Sequence, residues 1–525
     1  MKFKVPGILQ EIGVFDRERS LPIAIVLGVA TILRIYQLGT EALWIDEMLS
    51  IEGADNPPAV RPFYFILLRF WMVLGSSDAW LRALSVLFGL GTVYLTYELG
   101  RRAIGEFTGV ASAAIIALSP VFIHHSQEIR MYSLIPFLSL AGTLALSRAF
   151  ERPSNASLTV WAIFRIALLL TNANNVLILF PDMLLAAWRF RRKINWLFAF
   201  GGGLVTIGLA FLPAFCILSF GGESAEFMEQ QVSDYAKPGI LQIGGMLLQY
   251  VAYWPLRFLL ESNKIELANS ELGDADLISR VLQPNAFPLF FYGAFLMVLA
   301  GLVCLAFVAF RTERRSSHLL DIAIWGIVPS LAMLAISYIK KPLWFPRYLM
   351  FVGPYIIILV AAGLTILWNW KKVAAISIAV FYAIAVGGGL FDYYTNLYRD
   401  DWHGVARTIA ANEQPGDVII YHSVPRFFER SLPRYYRGPV PIYTLDMQPD
   451  PALLTPALIQ EQVGEALPVQ SRLWVVCWQT CQTQEEVDRI FDTTLGAGFE
   501  IQEKQTYQVL SADPIKVYRA APRSS

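Results

Sequence analysis

Trp44-Ile45-Asp46-Glu47-Met48, followed by Pro57-Pro58-Ala59-Val60-Arg61-Pro62, is the stretch on which the reading of this chain turns. The apolar segment 21–38 precedes it and another apolar run follows, so two adjacent carboxylates stand where a helix leaves a bilayer. A membrane enzyme would place an acid-base group there. The plainer reading is that Asp46 and Glu47 cap an interfacial helix and keep the loop in water. The rest of the chain has to decide between the two.

Of the 525 residues, 55% are hydrophobic, 16% are charged and 34 are Phe. That is too apolar for an ordinary soluble protein and matches a polytopic membrane protein. Residues 1–20 are mixed and charged, 21–391 hold nearly all the long apolar runs, and 400–525 read as a soluble domain. The first twenty residues are too charged for a signal peptide, and the apolar run behind them has no small-residue cleavage site, so it reads as a retained helix. Net charge is zero and no basic stripe with interleaved aromatics occurs, which argues against nucleic acid as a partner.

A spanning helix needs roughly 20 mostly apolar residues. By that measure the expected fold is a polytopic α-helical membrane protein with about eleven transmembrane helices, near 21–38, 82–99, 108–123, 131–149, 158–171, 174–189, 196–219, 286–310, 319–338, 348–368 and 373–391. Lys and Arg of short loops collect on the cytoplasmic side. With the N-terminus inside, that side holds Arg101-Arg102, Arg148 with Arg152, Arg189 to Lys193, Arg311 with Arg314-Arg315, and Lys371-Lys372. The opposite, extracytoplasmic side of the inner membrane then receives the Asp46-Glu47 loop, the His124-to-Tyr132 turn, segment 220–285 and everything from about residue 400. It also receives Arg61, Arg130, Lys340, Lys341 and Arg347, which go against the charge bias and so call for a functional explanation. Segment 220–285 is long for a connection, and its aromatic run Tyr250 to Phe258 reads as an interfacial helix bordering a substrate cavity.

The expected division is 1–395, a transmembrane domain with outer loops 39–81 and 220–285, and 396–525, a small extracytoplasmic α/β domain. Strands are expected at Asp417 to His422, Val440 to Tyr443, Arg472 to Trp478, Tyr507 to Leu510 and Lys516 to Arg519, with helices near 402–412, 424–436 and 483–497. Cys216 and Cys304 fall within apolar helices. Cys477 and Cys481 lie where a disulfide is allowed, and the sequence leaves that bond open.

A second constellation is His124-His125-Ser126-Gln127-Glu128-Ile129-Arg130-Met131-Tyr132, just after Ser119-Pro120. Its charges would be costly in lipid and must face water, protein or ligand. Helical spacing would put Glu128 and Tyr132 on one face and point Arg130 elsewhere. A structural alternative is an ion pair from Arg130 to Glu128 or Asp46 that holds helices together. Adjacent histidines on a helix point about 100° apart and do not chelate by themselves, so no cofactor is expected outright and a divalent cation stays open.

These stretches, with Pro346-Arg347-Tyr348-Leu349 opening a late helix, resemble the bacterial protein O-mannosyltransferase-like enzymes of the C-type (GT-C) glycosyltransferase superfamily. That superfamily also contains the enzyme that adds aminoarabinose to lipid A. The resemblance covers the membrane half; the C-terminal part shares only its position and the Asp401-Trp402-His403-Gly404-Val405-Ala406 opening. It implies transfer of a sugar from a polyprenyl-phosphate donor to a protein, lipid or glycan acceptor on the outer face, with inversion at the anomeric carbon. Asp46 would be the catalytic base, with Glu47 and Glu128 as supporting acids. Arg130, Tyr132, Arg61, Arg347, Tyr348 and Lys341 would bind substrate. For Lys340 and Lys341, contact with phospholipid headgroups is an equal reading. The residue types suit the chemistry on their own: a carboxylate can take the acceptor's proton, and Arg can hold a lipid phosphate bidentately. The rival readings are a lipid-linked glycan transporter or flippase and a glycan ligase. A transporter favours internal repeats and ionisable groups near mid-membrane, whereas no convincing repeat occurs here and the acids collect at one face.

Overall fold

The computed structural model describes residues 17–220, 238–252, 296–306, 316–339, 343–396, 399–423, 431–444, 472–478, 499–507 and 515–522. The chain divides into two compact units. One comprises Met1–Tyr36, Ala54–Gly75 and Leu81–Phe391; the other comprises Gln37–Gly53, Ser76–Trp80 and Asp392–Ser525. Loop 39–81, assigned from sequence to the membrane part, thus contributes both of its ends to the unit that holds the C-terminal residues.

Up to residue 220 the helices are α1 (Arg17–Ile35), α2 (Ile45–Asp55), α3 (Pro62–Met72), α4 (Asp78–Ala103), α5 (Glu106–Leu118), α6 (Pro120–Ser126), α7 (Leu134–Glu151), α8 (Asn155–Thr171), α9 (Leu179–Arg189) and α10 (Ile194–Phe220). Helices Ile240–Ala252, Leu296–Ala306, Ser316–Ile339, Gly353–Trp370 and Lys372–Thr395 follow. Among the described residues, six helices are long and apolar enough to cross a membrane, or seven if the bent pair α5 and α6 is one span. The expected count of eleven is not confirmed among the described residues. Hydropathy counts apolar residues but is blind to turns within them. Segment 174–189, for instance, is a 3-10 helix Ala173–Ile178 leading into α9, because the Asn172 side chain accepts a hydrogen bond from the Asn174 N–H at 3.0 Å and starts a tighter turn. Helix α10 turns Phe198, Val205, Leu209 and Phe215 outward, as a lipid-facing helix does. The protein is a multi-pass helical membrane protein.

Two charges inside the expected spans 158–171 and 174–189 are fully buried and satisfied. Arg165 donates to Asp182 at 2.7 and 3.1 Å, to the Ser139 carbonyl and to Thr143, while the Trp161 and Trp325 indoles also donate to Asp182. Removing either partner would leave a buried uncompensated charge, so the pair ties α7, α8, α9 and helix Ser316–Ile339 together.

The second unit contains a five-stranded sheet with order β2-β1-β3-β5-β4: β1 (Val418–Ser423), β2 (Ile442–Thr444), β3 (Leu473–Trp478), β4 (Phe499–Tyr507) and β5 (Ile515–Pro522). Strand β1 pairs in parallel with β2 and β3, and β5 runs antiparallel to β3 and β4. Helix Trp402–Asn412 coincides with its sequence expectation. A strand runs over Phe499–Tyr507, where the charged run Glu500 to Lys504 of this half-exposed edge hid it; residues 508–510 of the expected strand Tyr507 to Leu510 lie outside the described residues. The expected helix 483–497 lies outside the described residues, as does most of 424–436. Cys477 is disulfide-bonded, and Cys481 lies outside the described residues.

Candidate functional site

Pro120 has no N–H to donate and its ring clashes with a preceding helical turn, so Ser119 goes extended and α6 leaves α5 at 63°. The break exposes the last carbonyls of α5, and a residue from α1 satisfies them. Arg34, fully buried, donates to the carbonyls of Ile116 at 3.2 Å and Ala117 at 3.0 Å, and through Nε to Ser126 Oγ at 3.2 Å. In return the Gln127 amide donates to the carbonyls of Arg34 at 3.0 Å and Tyr36 at 2.8 Å, at the end of α1. Each side chain thus caps the other element's orphan groups.

On this locked turn Glu128, 2% exposed, meets both imidazoles: Oε1 lies 2.8 Å from His124 Nε2 and Oε2 lies 3.0 Å from His125 Nδ1. Burial raises its pKa, but the flanking imidazoles outweigh burial and hold Glu128 well below the usual carboxylate range. Residues 127–133 form turns, so the expected shared helix face of Glu128 and Tyr132 is not the geometry; Tyr132 instead lays its ring 4.9 Å from that of His125. The Arg130 guanidinium lies 5.6 Å from the Tyr132 ring centre, and its backbone carbonyl accepts from Ser85 Oγ. Ligand atoms of His124, His125 and Glu128 all lie within 4.8 Å of one another. The histidines do not chelate through helical geometry, but the turn brings Glu128 to both, and this nitrogen and oxygen set suits Zn²⁺.

Arg347 sits in a 3-10 helix, Pro346–Leu349, and the spanning helix starts only at Gly353; it does not open that helix as the sequence reading had it. Tyr250 donates to the Pro346 carbonyl at 3.0 Å and packs on Phe122 of α6. Gly353 is required beside them: a Cβ there would stand 2.9 Å from the Phe122 ring. The Arg347 guanidinium lies over the half-buried Tyr348 ring at 5.2 Å and over Phe345 at 5.7 Å. Arg61 is the residue before α3, and its side chain does not cap that helix. Lys340 and Lys341 lie outside the described residues.

In the second unit, Asp46 and Glu47 occupy the first turn of α2, where acidic side chains are favoured by the helix dipole. Their environments differ. Glu47 is 0% exposed; its carboxylate accepts from the Trp44 backbone N–H at 3.3 Å, the reciprocal half of a capping box, and lies 3.6 Å from Arg399 Nε. Asp46 is half-buried, and its backbone carbonyl accepts from Ser50 Oγ at 2.8 Å. Sequence reasoning missed Arg34, Arg165, Asp182 and Arg399. The first three carry a signal, a charge inside an apolar run; Arg399 carries none.

Compared with solved structures, the chain is similar to ArnT from Cupriavidus metallidurans in the apo state, with TM-score 0.52 and 14% identity over 96% of this chain and 98% of that one. It is similar to the same protein bound to undecaprenyl phosphate, with TM-score 0.51, 12% identity and coverage of 96% and 98%. The archaeal oligosaccharyltransferase AglB from Archaeoglobus fulgidus, in complex with an inhibitory peptide and a dolichol-phosphate, matches with TM-score 0.50 and 12% identity over 98% of this chain and 75% of that one. No protein-family model and no curated protein sequence matches the chain. The chain shares the multi-spanning fold of ArnT.

Proposed function

We propose that the protein is an inner-membrane glycosyltransferase that moves a sugar from a polyprenyl-phosphate donor to a hydroxyl acceptor on the extracytoplasmic face, with Asp46 as general base. The observation that carries this reading is the likeness of fold, over 96% of the chain, to a protein solved with undecaprenyl phosphate. Protein, lipid and glycan hydroxyls are all acceptors by this chemistry, and the inhibitory peptide held by AglB favours a protein.

In the reaction, the acceptor oxygen bonds to the anomeric carbon as the bond from that carbon to the phosphate oxygen breaks. The electron pair leaves with the lipid phosphate, and the acceptor's proton passes to the Asp46 carboxylate. A single displacement of this kind inverts the anomeric centre. Arg347 and Arg130, each laid over a tyrosine ring, hold the phosphate, with Tyr132, Tyr348, Arg61 and Lys341 lining the substrates. Glu128 with His124 and His125 would hold a divalent cation where one is used, which would supply charge neutralisation for the leaving phosphate.

The different environments of the two first-turn acids support Asp46 over Glu47 as base. Asp46→Asn should lower turnover by roughly 10² to 10⁴-fold with donor binding kept, the range a positioned base contributes. Glu47→Gln should lower thermal stability along with activity, because it sits in a buried capping contact. Release of free polyprenyl phosphate by each purified variant measures this; normal turnover by Asp46→Asn would remove it from the mechanism.

A further inference from the structure

The first external loop has no core of its own. Gln37, at φ 57°, turns the chain out of α1, and Ala42 then enters the hydrophobic core of the second unit beside Trp402 and Trp478, with Ile45 and Met48 packed at its edge. Polar contacts from Arg399, Tyr435 and Arg434 fix the loop further. Arg399 donates to Glu41 at 2.9 Å and lies 3.6 Å from Glu47. The Tyr435 hydroxyl accepts from the Leu43 backbone N–H at 2.7 Å and donates to Asp78 at 2.8 Å. Arg434 Nε donates to the same Asp78 at 3.0 Å, which fixes the far end of the loop.

The residues that make these contacts are themselves held. Asp400 accepts from the Trp478 indole at 3.2 Å. Asp401 caps helix Trp402–Asn412 through the Gly404 N–H at 2.8 Å, and a Cβ on Gly404 would meet that carboxylate at 2.2 Å. His403 lies against the Tyr435 ring at 4.3 Å. Burial and Asp78 push the Tyr435 hydroxyl up, so it keeps the proton that it donates. The Asp401-Trp402-His403-Gly404 opening is thus a support for groups that reach the Asp46 loop.

We propose that the C-terminal α/β domain is the device that sets Asp46 in its working position, with Tyr435 and Arg399 as positioning residues acting through Leu43 and Glu47. This rests on the reading of Asp46 as general base. A base on a loop without its own core needs such a support, since misplacing a reacting group by about 1 Å costs on the order of 10²-fold in rate.

The test uses the full-length protein with a polyprenyl-phosphate-sugar donor. Tyr435→Phe removes one hydroxyl and keeps the ring. It should lower kcat by roughly 10-fold or more with the donor KM unchanged, and speed amide exchange across 43–48. Arg399→Gln should act likewise and Arg399→Lys should recover part of the loss. Arg472→Gln, which perturbs the domain at the Asp417 carboxylate rather than at the loop, should leave kcat as it was. In an Asp46→Asn background Tyr435→Phe should cause no further loss. Unchanged kcat in Tyr435→Phe and Arg399→Gln, with Asp46→Asn still inactive, would overturn the positioning role and leave the base in place. If Tyr435→Phe slowed Asp46→Asn as much as it slowed the parent, or Asp46→Asn were fully active, the base itself would be wrong and the proposal with it.

Discussion

Arg347 lies over two aromatic rings in a 3-10 turn held by the Tyr250 hydroxyl, so its planar guanidinium is orientated before any ligand arrives. A planar fork binds a phosphate through two oxygens, whereas an ammonium offers a point charge. Donor-concentration curves should therefore show Arg347→Ala raising KM for the lipid donor by about 10-fold or more, the loss of one charged hydrogen-bonding partner, with Arg347→Lys between it and the parent. Equal, small effects would move phosphate binding elsewhere. Asp417 supplies a second test at this scale. Burial raises its carboxyl, but Arg472, the Trp474 indole and the Gln414 N–H prevail and hold it below the ordinary 3.8. A depressed folded pKa stabilises fully above the unfolded value and is lost as pH falls through the folded one. Calorimetry of Asp417→Asn should show a loss of about 2 kcal/mol at neutral pH that shrinks below pH 3.8; a constant loss would exclude the linkage.

Among the elements, the sequence discloses most where one residue dictates local geometry. Ser119-Pro120 marks the bend between α5 and α6, and Pro415-Gly416-Asp417 marks the turn before β1, with Gly416 at φ 92°. Boundaries set by distant partners were hidden. The turn after α6 is held by Arg34 and Gln127 across 82 to 94 positions of sequence, and nothing local announces that lock. The candidate acids could be found because carboxylates between apolar runs are conspicuous; their different environments could not, since Glu47 owes its burial to Trp44 and to Arg399. Gly89 tests the lock. A Cβ there would stand 2.3 Å from Ser126 Oγ and 3.1 Å from Arg34 Nε, so Gly89→Ala should destabilise by about 1 to 3 kcal/mol, the usual cost of overpacking. Thermal unfolding in detergent should show it, with activity lost more steeply than stability because the His124-His125-Glu128 turn shifts. A melt and activity equal to the parent's would show that the turn needs no such close packing.

For the whole molecule, composition was enough to announce a multi-pass membrane protein, because apolar surface on this scale cannot be hidden in a soluble core. Counting the spans required the turns that hydropathy ignores, and assigning the first loop to the C-terminal unit required contacts about 360 positions apart, such as Glu41 with Arg399. Transfer and transport, two of the readings open to this chain, part on the fate of the donor. The most direct measurement places the purified protein in proteoliposomes with polyprenyl-phosphate-linked sugars and a hydroxyl acceptor, and follows lipid-linked sugar and free polyprenyl phosphate together. Transfer requires free polyprenyl phosphate to accumulate in step with glycosylated acceptor, and to stop in Asp46→Asn. Movement of intact lipid-linked sugar between leaflets, with no polyprenyl phosphate released from any donor, would contradict it.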